Sequence, residues 1–209
     1  MRYSILLRAL AVTCTFFVLS ACVSTPPATL KTTFVSESLP KNVKSFLVLG
    51  LGEKRANSIE FEQEFINALQ DQGVEAYSVH KEIGRKQEIT KASVIALVKK
   101  LNVEAVLVTR LKDIELEINE QRVSKTKTIQ KPQFRRLTDI FVYEYEEIET
   151  ERDMGLAATV TLTTEVYSTT SGGLIAELET KSFEKTEKGL VESESISKIV
   201  TFLKSNRIL

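Results

Sequence analysis

Between Val43 and Leu111, short apolar runs alternate twice with stretches whose apolar residues recur at helical spacing, and this order restricts the fold more than any other feature of the 209-residue chain. Val43-Lys44-Ser45-Phe46-Leu47-Val48-Leu49 is nearly continuous in apolar residues, as expected of a strand covered on both faces. Asn57 with Glu60 offers a capping box, and Phe61, Phe65, Ala68 and Leu69 fall on one helical face before Gly73, a residue suited to the position just past a helix end. The spacing predicts a helix over 58–72 and then a second strand over 74–79. Thr90 is placed to cap a helix carrying Val94, Leu97, Val98 and Leu101 on one side, and the apolar run 103–111 reads as a third strand. Alternation with short connections predicts parallel pairing through right-handed crossovers.

The second half changes character. From Asp139 to Lys185 the pattern is strand and turn with no apolar face of helical length. Residues 140–145 read as one strand. Val160, Leu162, Thr164 and Val166 alternate with Thr159, Thr161, Thr163, Glu165 and Tyr167, which predicts a half-buried strand, and Ser171-Gly172-Gly173 turns it back into a run over 174–178. Ile196, Ile199, Val200 and Leu203 mark a C-terminal amphipathic helix. The expected fold class is α/β: a three-helix, mixed β-sheet sandwich in the order β-α-β-α-β, then antiparallel strands and the final helix. At 43% hydrophobic and 27% charged, the chain carries enough apolar material for one core, which argues against global disorder.

The N-terminus stands apart from this domain. Arg2 and Arg8 flank the start of the chain before the eleven-residue apolar stretch 9–19, a layout that reads as a secretory signal peptide. At 1.5 Å per residue the stretch reaches only about 16 Å as a helix, roughly half a hydrocarbon core, so a permanent N-terminal span is the weaker alternative. From Val23 to about Asn42 the chain is rich in Ser, Thr and Pro, with Pro26-Pro27 and Pro40 as breakers, and reads as a flexible tether able to hold the domain some tens of Å from a membrane. A short edge strand at Thr32-Thr33-Phe34-Val35 is the alternative.

Leu19-Ser20-Ala21-Cys22 has an aliphatic residue, two small residues and a cysteine, and so resembles the lipobox of bacterial lipoproteins. The resemblance implies cleavage between Ala21 and Cys22, a covalent diacylglycerol on the Cys22 thiol and an N-acyl chain on the new amino group; a thiolate is the nucleophile such a transfer requires. The domains then read as signal peptide 1–21, lipidated Cys22 and tether 22–42, and a single periplasmic α/β domain 43–209 with a charged excursion at 113–137. Losing 21 of 209 residues leaves 188, with 26 basic and 28 acidic side chains, because Arg2 and Arg8 depart and no acid does. Cys14 departs as well, so the mature chain holds no thiol beyond the lipidated one. Its fold has to stand without a disulfide in a compartment that permits one. Val23 after the cysteine, by resemblance to enterobacterial sorting, implies the periplasmic face of the outer membrane rather than the inner membrane.

The runs at 46–50 and 103–110, Gly73-Val74, the strand 160–167 and the Ser171-Gly172-Gly173-Leu174 hairpin before the last helix together resemble a group of small, mostly uncharacterised bacterial envelope lipoproteins. The layout is also similar to the periplasmic domains of lipoprotein activators of cell-wall synthases and of the curli-secretion lipoprotein. The resemblance spans residues 43–209 and implies a layout, not particular site residues.

Catalytic signatures are weak. Gly50-Leu51-Gly52 lies between a strand and a helix, but Arg55 stands where a dinucleotide fingerprint needs its third glycine and no Walker lysine follows, so a flexible turn is favoured over a phosphate loop. His80 is the sole histidine, with Ser78 nearby, and reads as a bystander on the surface; one histidine without free thiols makes no His/Cys metal site. The expectation is therefore no enzyme, no catalytic residue, no metal and no cofactor apart from the lipid on Cys22. One charge feature stands out. Arg122, Lys125, Lys127, Lys131, Arg135 and Arg136 lie together with no acid among them, while Glu144, Glu146, Glu147, Glu149, Glu151 and Asp153 follow with Arg152 as their one base. The plain reading is a solvated excursion with two mutually attracting arms. The sharper one is a basic tip that contacts an anionic lipid or glycan of the envelope. The expected partners are a membrane, reached through the lipid anchor, and an envelope protein; neutral net charge and compartment argue against nucleic acid.

Overall fold

A computed structural model of the chain describes residues 28–52, 55–84, 87–118, 121–126, 136–137, 157–184 and 193–209. The strands are β1 (Thr29–Val35), β2 (Ser45–Leu51), β3 (Glu75–Ser78), β4 (Ala105–Ile118), β5 (Gln121–Thr126), β6 (Ala157–Ser168) and β7 (Leu174–Glu184). The helices are α1 (Arg55–Gln70), α2 (Val79–Ile83), α3 (Lys91–Leu101) and α4 (Ser193–Ser205). The mixed α/β sheet-and-helix class is as expected. No helix among the described residues is long and apolar enough to cross a membrane.

The seven strands among the described residues form one mixed sheet in the order β1-β7-β6-β4-β2-β3, with β5 paired to β4. The alternating first half builds its parallel part: β2 pairs in parallel with both β3 and β4. The chain runs from β2 through α1 to β3 on one side of β2, then back through α2 and α3 to β4 on the other. Right-handed crossovers in opposite directions place their helices on opposite faces. Strand alternation does the rest. Phe46 and Val48 of β2, with Ala105 and Leu107 of β4, pack under Phe65 and Leu69 of α1 and Ile199 and Leu203 of α4. Leu47 and Leu49, with Val106 and Val108, pack under Val79 of α2 and Val94 and Leu97 of α3.

β4 changes neighbours along its length. Its first half lies beside β2, its second half pairs with β5 from Asp113↔Thr126 to Ile118↔Gln121, and β6 follows it on the other side throughout. The β4–β5 hairpin therefore projects beyond the end of β2, and part of the expected excursion at 113–137 is regular sheet. The acidic segment 144–153 and the expected strand 140–145 lie outside the described residues.

Several local readings change. The first helix starts at Arg55, so Asn57 is inside it and makes no capping box with Glu60. Its end is as read: Gly73 has φ +75°, Gly73 N–H donates to Gln70 O at 2.8 Å and Val74 N–H to Leu69 O at 3.2 Å, the paired bonds of a Schellman turn. Thr90 caps α3 as expected, with Ser93 completing the reciprocal pair. The apolar 74–79 run ends its strand at Ser78 because Ser78 caps a further short helix, accepting from Lys81 N–H at 3.1 Å. The expected tether is shorter than its composition suggests: Thr29–Val35 is β1, paired antiparallel with β7. Ala28 is buried and donates its N–H to Glu194 Oε2 at 2.9 Å, pinning the chain to the first turn of α4. Finally, β6 is buried on both faces, with Thr161, Thr163 and Glu165 as covered as Val160 and Val166.

Candidate functional site

The basic residues singled out in the sequence do not gather into one patch among the described residues. Arg122 and Lys125 are on β5, where their register partners are Glu117 and Ile114. Arg136 is exposed and bridges to Gly173, at the β6–β7 turn. That turn lies at the other end of the sheet, about 36 Å away if the eleven residues from Val106 to Glu117 are counted along β4. Lys127, Lys131 and Arg135, like Ala21 and Cys22, lie outside the described residues.

The most concentrated chemistry was missed in the sequence. Glu62 is fully buried on α1, and His80, expected on the surface, is buried at 7% exposure. Glu62 Oε1 accepts from Gly50 N–H at 2.9 Å and faces His80 Nδ1 at 2.6 Å; Oε2 accepts from His80 N–H at 3.2 Å and from the Ser78 hydroxyl. A short contact between Nδ1 and a carboxylate oxygen requires a hydrogen between them, which assigns Nδ1 as a donor. Four donors from β2, β3 and α2 thus converge on one carboxylate, as the burial of a charge demands. Arg55, at the start of α1, adds links to the carbonyls of His80 at 3.1 Å and Gly84 at 2.6 Å. The signal available in the sequence was position: Glu62 shares the inward stripe of α1 with Ser58, Phe65 and Leu69.

Ser, His and Glu in contact invite comparison with a nucleophilic triad, and the connectivity decides against it. In a triad the imidazole stands between hydroxyl and carboxylate, so that it can take the hydroxyl proton. Here the carboxylate stands between hydroxyl and imidazole, and the Ser78 oxygen is engaged in capping α2. The arrangement fastens elements together and gives Ser78 no contact with the imidazole.

The glycine pair has a packing explanation as well. A Cβ at Gly50 would lie 3.2 Å from Phe61 Cδ1 and 3.3 Å from Ser58 O, so glycine lets α1 approach β2. Gly50 N–H, the group a phosphate would use, already serves Glu62, whose negative charge repels an anion there. The cleft beside Gly50 and Gly52, lined also by Asn57, Arg110 and Leu111, holds only about 50 Å³.

A second buried network crosses the middle of the sheet. Arg110 Nη2 donates to Glu165 Oε2 at 2.7 Å, and Tyr167 Oη donates to the same oxygen at 3.0 Å. Arg110 and Glu165 are 1% exposed and Glu177, in register with Glu165, 2%. On the opposite face Thr109 and Thr164 share a hydroxyl pair at 2.9 Å. A shallow groove of about 380 Å³ runs between α1 and α4, lined by Glu64, Ala68, Asp71, Ile196, Val200 and Lys204. Burial, and then the charge of Glu60 one turn back, hold the Glu64 carboxyl above its ordinary value.

No protein-family model matches the chain, and no curated protein matches it. Solved structures show likeness of layout. A PelC dodecamer from Paraburkholderia phytofirmans is 13% identical, with 87% of this chain and 97% of the other covered at a TM-score of 0.43. Lipoprotein GNA1162 from Neisseria meningitidis is 10% identical, with 78% and 96% covered at 0.40. The hypothetical protein CT253 from Chlamydia trachomatis is 8% identical, with 78% and 96% covered at 0.37.

Proposed function

We propose that this chain is a bacterial envelope lipoprotein, anchored by acyl chains on Cys22 at the periplasmic face of the outer membrane, and that it acts without catalysis as a binding or assembly accessory factor. The observation that carries the non-catalytic reading is how the buried ionisable groups are used. Glu62 is occupied by four internal donors, and Glu165 by Arg110 and Tyr167. A general acid or base must instead present a lone pair or a proton to a substrate. The envelope location is supported by the signal-peptide pattern and the Leu19-Ser20-Ala21-Cys22 motif.

The test is cross-linking in living cells followed by mass spectrometry of the purified complexes, on the wild type and on Cys22→Ala. One dominant protein, captured by the wild type and lost in the variant, is the expected result. A membrane-bound wild type that captures no specific protein overturns it in favour of an anionic lipid or glycan as the ligand. Such a ligand would have to be met by bases spread along the sheet, since Arg122 and Lys125 stand far from Arg136.

A further inference from the structure

The point at which the chain becomes fixed, together with the direction from which it arrives, says which end of the domain meets the bilayer. Thr29, Lys181, Thr161, Asp113 and Thr126 form one row across β1, β7, β6, β4 and β5. β1 runs antiparallel to β7, β7 to β6 and β6 to β4, so β1 and β4 point in opposite directions. Residues preceding Thr29 therefore approach from the end of the sheet toward which β4 advances after Asp113. That end carries the β4–β5 hairpin at Ile118 and Gln121, the start of β6, the end of β7 and the first turn of α4.

Reach sharpens the argument. Six residue steps separate Cys22 from Ala28, at most about 20 Å in any conformation. The hairpin end at Ile118 stands five residues beyond the Thr29 row, about 17 Å along the strand. An anchor running straight on from β1 thus ends level with the hairpin. The reverse orientation is hard to reach, because the β6–β7 turn begins at Leu174, seven residues or about 23 Å from Lys181 on the far side of the row. The anchor segment would have to reverse at Ala28, which Glu194 holds, and double back along the sheet at full extension.

We infer that the domain stands end-on with its β4–β5 hairpin against the lipid surface that holds the Cys22 acyl chains, and that the β6–β7 turn points away, toward the periplasm. The partner of the hairpin end is a bilayer headgroup layer. Direction and reach set this orientation rather than charge, since Arg122 stands in register with Glu117. The inference rests on the lipidation proposed above.

The mature chain offers no competing thiol, so single cysteines report cleanly. The acylated protein, carrying either Gln121→Cys or Ser171→Cys with an attached fluorophore, is reconstituted in vesicles of phosphatidylethanolamine and phosphatidylglycerol containing a lipid with a nitroxide on its headgroup. Quenching several-fold stronger at position 121 than at 171 is expected. Equal or reversed quenching in a protein whose intact mass shows the acyl chains overturns the orientation and leaves the lipidation standing. An intact mass without acyl chains overturns both. Circular dichroism of each labelled variant, matched to the parent, guards against a misfolded reporter.

Discussion

Glu62 sits on the inward face of a helix where an apolar residue is the usual occupant, and it is tolerated because donors from three other elements meet it. Removing its charge while keeping its shape should leave those donors facing an amide: Glu62→Gln is expected to lower unfolding stability by about 3 kcal/mol, measured by urea denaturation. A loss below about 0.5 kcal/mol would mean the network is held by something other than the carboxylate. Ser78, whose hydroxyl serves Glu62 and the α2 cap, should stay unlabelled by a fluorophosphonate probe that traps activated serines; stoichiometric labelling would overturn the non-catalytic reading. Glu64 offers a pH-dependent check. Its folded pKa lies above the ordinary value of 4.5, through burial and then Glu60, so the native state binds the proton more tightly than the unfolded chain. The favourable contribution is full below the unfolded pKa and is lost as pH rises through the folded one. Glu64→Gln should therefore gain on the wild type at neutral pH and lose that advantage toward pH of about 4. Thermal midpoints across that range decide it. At this scale the sequence was least legible, for His80 reads as a surface residue until Glu62, eighteen positions earlier, is folded against it.

Elements were read well where periodicity is sustained. α3 and its Thr90 cap, the Gly73 turn, the β6–β7 hairpin and α4 all follow from local patterns that tertiary packing reinforces. The departures share one cause: neighbours decide whether a strand continues. β4 runs to Ile118, past the continuous apolar run, because β6 and β5 supply partners for its second half, where Ile114, Leu116 and Ile118 alternate with charged residues. β1 forms in a Ser/Thr-rich stretch because β7 presents an open edge there. β6 alternates as though one face were wet, yet both faces are buried, since Arg110 and Tyr167 satisfy Glu165. The β1 assignment is directly testable with soluble truncations. A chain starting at Ala28 should unfold as the longer soluble form does. One starting at Ser36 should lose about 2 kcal/mol or more and self-associate through the bared β7 edge, visible by size-exclusion chromatography. Equal stability and a monomeric profile would show that β1 contributes nothing to the sheet.

For the whole molecule, the two helical layers and the sheet between them close on two apolar clusters among the described residues, with the Glu62 and Glu165 networks buried between elements. The soluble Cys22→Ala variant should therefore keep the thermal midpoint of the lipidated protein in detergent. A fall of about 5 °C or more would mean that the anchored end takes part in stability. The chain's own composition and spacing were enough to determine the α/β class, the order of elements along the parallel half and the turn chemistry, because each is written in neighbouring residues. The tertiary structure alone decided the rest. Burial of Glu62 and His80, the separation of Arg136 from Arg122 and Lys125, and the pinning of Ala28 to α4 all join residues distant along the chain, whose meeting depends on which strands become neighbours in the finished sheet.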